Sequence, residues 1–139
     1  MSRLSLATPT LSTDILMSLA PVPAAVAAAR HTLQERGLHP ELDQTVALLA
    51  SELVGNAIRH SGSAERIVFH TRVTRESVRV EVTDQGPGFD PDVRHHAEGF
   101  GLRIVDRLAD RWGVERTARG CRVWFEIDRD VESPRPAAV

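Results

Sequence analysis

With 139 residues, the chain is long enough for one domain that buries its own hydrophobic core. A net charge of −2 gives no bulk attraction to nucleic acid, and a single cysteine, Cys121, excludes an internal disulfide and a zinc site built from thiolates. All 17 basic residues are arginine, so the chain has neither the lysine of a P-loop nor that of a Schiff-base enzyme.

The hydropathy pattern is that of a protein outside the membrane. No run approaches the roughly 18 apolar residues that cross a bilayer. The N-terminus, with Thr8-Pro9 and Asp14, lacks a basic region that leads into an apolar one. We therefore expect a cytoplasmic protein that makes no direct contact with nucleic acid or with a membrane.

The first half of the chain predicts one strand and two helices. Residues 1–12 are rich in Ser and Thr and aperiodic, which is typical of a flexible tail. Residues 14–20 are expected to form a strand that opens a sheet. Residues 24–36 are alanine-rich and are followed by glycine, which predicts a helix with a defined end. Between residues 40 and about 60, apolar side chains recur at helical spacing and predict a second helix.

The second half predicts two β-pairs around a loop and a helix. Valine alternates with polar residues over 77–83, as in an antiparallel sheet that is covered on one side. The predicted elements are strands over 66–73 and 77–83, a loop over 85–98, a helix over 101–111, and a hairpin of 113–117 and 121–127. This order indicates a two-layer α/β (α+β) sandwich, with a mixed, mostly antiparallel sheet and helices on one face. We expect a single domain over 13–128, and a disordered tail over 129–139.

A polar ridge interrupts the second predicted helix. Glu52, Asn56 and His60 are four residues apart and therefore share one side of the helix, beside the apolar stripe. The Asn56 carbonyl suits a hard cation such as Mg²⁺ that bridges phosphates, and Glu52 suits a general base for an attacking hydroxyl. The alternative is a solvated helix edge on which Asn56 has no task. The helix alone leaves both interpretations open.

Two glycine-bearing segments extend this pattern. Asp84 ends a predicted strand before Gly86-Pro87-Gly88, where its carboxylate can accept a hydrogen bond from an exocyclic amine such as that of adenine. The glycines there allow a tight turn beneath a flat base. Gly99-Phe100-Gly101-Leu102 opens a predicted helix, whose free N–H groups favour an anion. An ordinary turn and simple helix capping are the alternatives.

Taken in this order, the three segments resemble the GHKL, or Bergerat-fold, ATPases, the superfamily of DNA gyrase, Hsp90, histidine kinases and MutL. Residues 51–60 are similar to the N box of that superfamily, 80–88 to its G1 box and 99–105 to its G2 box. Within the superfamily, the chain is most similar to the anti-sigma factor serine kinases and their histidine-kinase-like ATPase relatives. The resemblance covers roughly residues 13–128 and implies the Bergerat ATP-binding fold.

The resemblance implies a role for each of these residues. Asn56 would bind the Mg²⁺ that bridges the triphosphate of ATP, Glu52 would activate the attacking hydroxyl, and Asp84 would bind the adenine amino group. The other residues implied to contact the nucleotide shape the base pocket or surround the phosphates: Gly86, Gly88, Gly99, Phe100, Gly101, Leu102, Arg59 and His60. The loop between Phe89 and Glu98 would act as a short ATP lid.

An activity and a set of partners are also implied by the resemblance. The chain would be a serine/threonine protein kinase that phosphorylates a serine of an anti-anti-sigma factor. When it does not hold that antagonist, it would sequester a sigma factor. A homodimer is implied as well.

One departure from the family pattern supports an alternative function. The family usually has a threonine near the last strand that supports adenine recognition, and the corresponding residue here, after Gly120-Cys121, is expected to be Arg122. A bulky cation there either hinders the base or faces outward. A catalytically degenerate binding module, which regulates transcription by protein contacts alone, is therefore the alternative. The catalytic domain of a histidine kinase is disfavoured because residues 1–40 are too few and too irregular for a phospho-acceptor hairpin.

Overall fold

The boundaries of the strands and helices follow the polar and apolar pattern of the chain. A computed structural model describes residues 13–36, 40–60, 66–85, 102–118 and 120–129. The five strands are β1 (Thr13–Leu19), β2 (Ile67–Val73), β3 (Ser77–Asp84), β4 (Arg111–Arg116) and β5 (Cys121–Asp128). The three helices are α1 (Ala24–Arg36), α2 (Pro40–His60) and α3 (Leu102–Leu108).

The strands form one sheet in the order β1-β2-β3-β5-β4. Every described pairing is antiparallel, so the predicted mostly antiparallel sheet is confirmed. Because β5 lies between β3 and β4, the chain passes from β3 through α3 to the far edge and then returns beside β3. In this register Asp84, at the end of β3, lies opposite Cys121, at the start of β5.

One face of the sheet is covered by helices and the other is open. Every second residue of β2, β3 and β5 is buried. Phe69 and Phe125 are the largest fully buried side chains, and the apolar stripe of α2 joins them in one core. Each fully buried side chain of this size contributes about 1.5–3 kcal/mol to folding relative to an exposed one. The predicted two-layer sandwich is therefore confirmed.

Most of the predicted elements agree with the structure, and one is wrong at its end. The predicted helices over 24–36 and 40–60 match α1 and α2, and the predicted first strand is shifted by one residue. The predicted helix over 101–111 ends instead at Leu108. The Ala109 N–H still donates to the Val105 carbonyl, but the Asp110 N–H donates to the Glu126 carbonyl of β5. Pairing with β5 therefore draws the following residues into β4.

Trp112, which directly follows the predicted helix, lies in β4 opposite Phe125. Its indole Nε1 donates to Asp106 Oδ1 at 2.8 Å and so connects β4 to α3.

The predicted tail over 1–12, the predicted lid, and the predicted tail over 129–139 except for its first residue lie outside the described residues. That first residue, Arg129, donates its N–H to the Glu76 carbonyl at 2.8 Å, so it belongs to the ordered part of the fold. The domain boundaries at 13 and 128 stay a prediction. None of the helices in the described part of the chain is long and apolar enough to cross a lipid bilayer.

Candidate functional site

Asn56 is the most unusual polar residue of the covered side. Its exposed fraction is 0%, so it lies inside the fold, and the alternative of a solvated helix edge is wrong for this residue. Neither Oδ1 nor Nδ2 has a hydrogen-bond partner within the described structure. Burying an amide without a partner costs about 1–3 kcal/mol. A ligand that contacts this amide would offset that free-energy cost. The amide oxygen is a suitable ligand for Mg²⁺.

Glu52 lies one turn before Asn56 on α2 and is only half-buried. Its carboxylate is therefore accessible to an incoming group while it remains next to the buried amide. The exposed Arg59 folds back along the same helix, because a Cβ built on Gly55 would lie 3.4 Å from Arg59 Nη1. The side chain of His60 lies outside the described structure.

Asp84 is held in a buried position where β3 and β5 meet. Its exposed fraction is 5%, and Cys121 lies opposite it in the register with an exposed fraction of 1%. Gly120 makes this approach possible, because a Cβ at that position would lie 2.0 Å from the Asp84 carbonyl oxygen. Any larger residue would have to push the two strands apart at the backbone carbonyl of Asp84.

Gly120 and Cys121 were missed as site residues by sequence reasoning, which emphasised Arg122. The signal that could have found them is the alternation of side chains between the two faces of β5. Opposite residues of an antiparallel pair share a face, so Cys121 and not Arg122 lies on the face of Asp84.

Arg122 points away from the candidate site. It lies on the open face, where its Nη1 donates to Glu115 Oε1 at 3.0 Å and its Nε lies 3.7 Å from Glu81 Oε1. Of the two possibilities raised by the sequence, the outward orientation is therefore the one observed. The cation does not occupy the side on which Asp84 lies.

The glycine segments of the predicted nucleotide site are only partly described. Gly86, Gly88, Gly99, Phe100 and Gly101 lie outside the described residues, so their roles stay predictions. Leu102 begins α3 and is fully buried, as is Val105 one turn later. Both anchor this short helix to the core. Packing in the core is therefore enough to explain why the segment contains Leu102, and no ligand is needed for that explanation.

Magnesium, if bound here, would rely on few protein ligands. Within the described residues, no three His, Cys, Asp or Glu side chains form a group that could hold a metal ion. Mg²⁺ commonly keeps several waters and is held by one or two protein oxygens together with substrate phosphates. The single amide of Asn56 fits that pattern.

The open face of the sheet is organised differently, by pairs of opposite charge. On β1 and β2, Asp14 Oδ1 lies 2.9 Å from His70 Nε2 and 3.1 Å from Arg72 Nε. These two hydrogen bonds, first that of His70 and then that of Arg72, lower the pKa of Asp14 below its ordinary value of 3.8.

The other half of the open face is centred on Glu126. Arg111 Nε donates to Glu126 Oε1 at 2.7 Å, and Arg79 Nη1 donates to Oε2 at 2.8 Å. The Arg111 bond, followed by the Arg79 bond, lowers the pKa of Glu126. The Arg79 guanidinium also lies 4.2 Å from the ring centre of Trp124, a distance typical of a cation–π contact. The charged side chains around Glu126 therefore form hydrogen bonds with one another.

Comparison with known proteins identifies the family of the chain. Residues 16–127 match the family described as histidine kinase-like ATPase domain. The chain is 40% identical over 101 residues to the signal transduction histidine-protein kinase AfsQ2 of Streptomyces coelicolor. That match covers 60% of this chain and 18% of the relative, so this chain spans less than a fifth of the relative's length.

Proposed function

The chain belongs to the histidine kinase-like ATPase domain family, and we propose that it binds ATP with Mg²⁺ and transfers the γ-phosphoryl group to a serine of a partner protein. The observation that carries this proposal is the buried amide of Asn56, whose two polar atoms have no partner in the described structure, one turn from the accessible carboxylate of Glu52. The loss of stability at this position has a reason if the amide of Asn56 is bonded only when a ligand is present.

In the proposed reaction, the serine oxygen forms a bond to the γ-phosphorus while the bond from that phosphorus to the bridging oxygen of ADP breaks. The hydroxyl proton passes to the carboxylate of Glu52. Asn56 would hold Mg²⁺ through its amide oxygen, and the ion, when bound, offsets the charge of the triphosphate. Asp84 would accept a hydrogen bond from the exocyclic amine of adenine.

Calorimetric titration of ATP, with and without Mg²⁺, tests the binding part of this proposal. We expect Mg²⁺-dependent binding to the wild type and at least about tenfold weaker binding to Asp84→Asn, because the variant loses the negative charge and one of the two acceptor oxygens that can bind the adenine amine. Asp14→Asn makes the same chemical change on the open face and should bind ATP as the wild type does. Equal affinities of the two variants would contradict the role of Asp84.

The proposed partners follow from the serine kinase interpretation. The acceptor would be an anti-anti-sigma factor, and the chain would sequester a sigma factor when that acceptor is phosphorylated and released. The retained Glu52 and Asn56 support phosphotransfer, and the outward orientation of Arg122 removes the main objection to ATP binding.

Transfer to a histidine is a second candidate function, favoured by the 40% identity to a histidine-protein kinase. The two products differ in chemical stability, since phosphoserine survives acid whereas phosphohistidine is hydrolysed in acid and survives alkali. We would incubate the chain with γ-labelled ATP and an extract of the cells that produce it. The label that is absent with Glu52→Gln is then tested in acid and in alkali. An acid-labile label would overturn the serine assignment and support the second candidate.

A further inference from the structure

A row of charged residues, one from each strand, crosses the open face of the sheet. In the register these residues follow one another as Asp14, Arg72, Arg79, Glu126 and Arg111. Their charges alternate in sign at every step but one. The exception is in the middle of the sheet, where Arg72 of β2 lies directly opposite Arg79 of β3. Like charges in directly opposite positions are destabilising, so an anion between these two arginines would stabilise the row.

A cavity opens at this pair of arginines. It has a volume of about 130 Å³ and is lined by His70, Arg72, Arg79 and Glu81. Pockets for drug-sized ligands have volumes of roughly 300–1,000 Å³, so this cavity has room only for a small molecule or an ion. The two guanidinium groups in its lining favour an anion.

Both arginines have N–H groups that remain available to such an anion. Within the described residues, Arg72 forms one hydrogen bond, from Nε to Asp14 Oδ1 at 3.1 Å, which leaves both of its Nη groups. Arg79 donates through Nε to Glu81 and through Nη1 to Glu126, which leaves its Nη2 group. A guanidinium binds phosphate through parallel N–H donors, and one phosphate has enough oxygens to accept hydrogen bonds from two arginines.

No carboxylate of the described residues bridges the two arginines. Glu81, which also lines the cavity, accepts a hydrogen bond through Oε2 from Arg79 Nε at 2.8 Å. Its Oε1 lies 3.7 Å from Arg122 Nε and 4.0 Å from His70 Nδ1. Arg72 is not among these contacts, because its carboxylate partner is on β1. The space between Arg72 and Arg79 is therefore left for an anion from outside the chain.

We propose that this cavity is a binding site for one phosphate group, either inorganic phosphate or a phosphate monoester, that bridges Arg72 and Arg79. The anion would complete the alternation of charge along the row. At pH 7 such a group carries a charge of about −1.5 to −2, which suits two cations better than the single charge of a carboxylate does. The cavity is on the open face, whereas Asn56 and Asp84 belong to the candidate nucleotide site, so the inference does not depend on ATP binding or on phosphotransfer.

Calorimetric titration with inorganic phosphate, at constant ionic strength, tests the site. We expect one phosphate to bind per chain, and Arg72→Gln to bind it at least about tenfold more weakly, because the variant loses a charged pair of donors. Arg111→Gln is the matched control. It removes the same charge from the same row, and the two side chains are 56% and 49% exposed, but Arg111 does not line the cavity. A wild type that binds no phosphate, or equal weakening by the two substitutions, would overturn the proposal.

Variants of the two faces test where the phosphate binds. Asn56→Leu should bind phosphate as the wild type does, and Arg72→Gln should bind ATP with Mg²⁺ as the wild type does. If phosphate binds while ATP does not, the inference stands and the proposed function fails. Loss of phosphate binding in folded Asn56→Leu, together with its retention in Arg72→Gln, would place the anion in the candidate nucleotide site and contradict the inference.

A comparison of anions tests the class of ligand. Acetate should bind to the wild type at least about tenfold more weakly than phosphate, because it carries one charge and only two oxygens. Phosphoserine separates the two sources of a phosphate group. Binding as tight as that of phosphate indicates a monoester, such as a phosphorylated side chain, and much weaker binding indicates the free ion. Acetate that binds as tightly as phosphate would reveal an unselective anion site and overturn the phosphate assignment.

Discussion

The two sides of the sheet differ in whether their polar side chains have hydrogen-bond partners within the chain. On the open face, Glu126 accepts hydrogen bonds from two arginines, and Asp14 from a histidine and an arginine. On the covered side, the amide of Asn56 is fully buried and has no partner in the described structure. These two carboxylates of the open face thus have their hydrogen-bond partners within the chain. The amide of Asn56 has no such partner among the described residues, which is the reason for proposing a ligand at this position.

The energies involved make this difference informative. An exposed ion pair contributes about 0–1 kcal/mol, whereas a buried amide without a partner costs about 1–3 kcal/mol. Substitutions on the open face should therefore change stability slightly and leave ATP binding unchanged. Substitutions around Asn56 and Asp84 should change ligand binding or catalysis first, and some should even increase stability.

The largest expected effect is that of Glu52→Gln on phosphotransfer. Removing a general base lowers such a rate by about 10²–10⁴-fold. ATP binding should persist, because Glu52 acts on the acceptor. Glu81→Gln is the control on the open face, and transfer of labelled phosphate is the measurement. A degenerate binding module predicts no functional change in either variant.

Gly120→Ala tests how closely β3 and β5 must approach. The added Cβ would overlap the Asp84 carbonyl oxygen, so we expect the free energy of unfolding to fall by about 1–3 kcal/mol, together with a loss of ATP affinity. Gly113→Ala is a milder control, because its Cβ would approach the Trp124 ring at 3.0 Å, and a side chain yields more easily than backbone. Urea unfolding of both variants provides the comparison. Equal destabilisation would show that the end of β3 has room to move.

Asn56→Leu should separate stability from function. Replacing an amide without a partner by an apolar group of similar size should raise the free energy of unfolding by about 1–2 kcal/mol, while Mg²⁺-dependent ATP binding is lost. Thr71→Val is the matched control. Thr71 Oγ1 is also fully buried and without a hydrogen-bond partner in the described structure, but it lies in β2, which β3 separates from β5.

We expect Thr71→Val to gain about 1 kcal/mol of stability and to keep ATP binding. Denaturant unfolding and calorimetric titration measure the two properties. Loss of binding in Thr71→Val as well would mean that the orphaned amide has no special function.

Glu126→Gln should have the smallest effect, and that effect should depend on pH. Because Arg111 and Arg79 lower the pKa of Glu126, the ionised carboxylate stabilises the fold above its ordinary pKa of 4.5. This contribution is lost as the pH falls through the lowered pKa of the folded state. We expect the variant to be about 0.5–1 kcal/mol less stable at pH 7, and the difference to shrink towards pH 3. A difference that grows on acidification would have the wrong sign.

Much of the fold was predictable from local patterns, and the site less so. Proline and glycine bracket the two long helices, and the valines of β3 alternate cleanly, so these elements were predicted closely. The end of α3 was not, because the hydrogen bond from Asp110 to Glu126 joins residues sixteen apart. The sequence placed Glu52, Asn56 and Asp84 on the correct elements. The depth of Asn56 and the outward orientation of Arg122 depend on packing and register, which no local pattern contains.

The two tryptophans of the chain lie on opposite faces of the sheet, which gives each face its own fluorescent reporter. Trp112 is hydrogen-bonded to Asp106 of α3, whereas Trp124 lies beneath the Arg79 guanidinium on the open face. With Trp124→Phe, the emission of the remaining indole reads the junction of β4 and α3 directly. With Trp112→Phe, it reads the open face. A nucleotide that rearranges α3 would shift the first spectrum and leave the second unchanged, and the chain needs no added dye to reveal it.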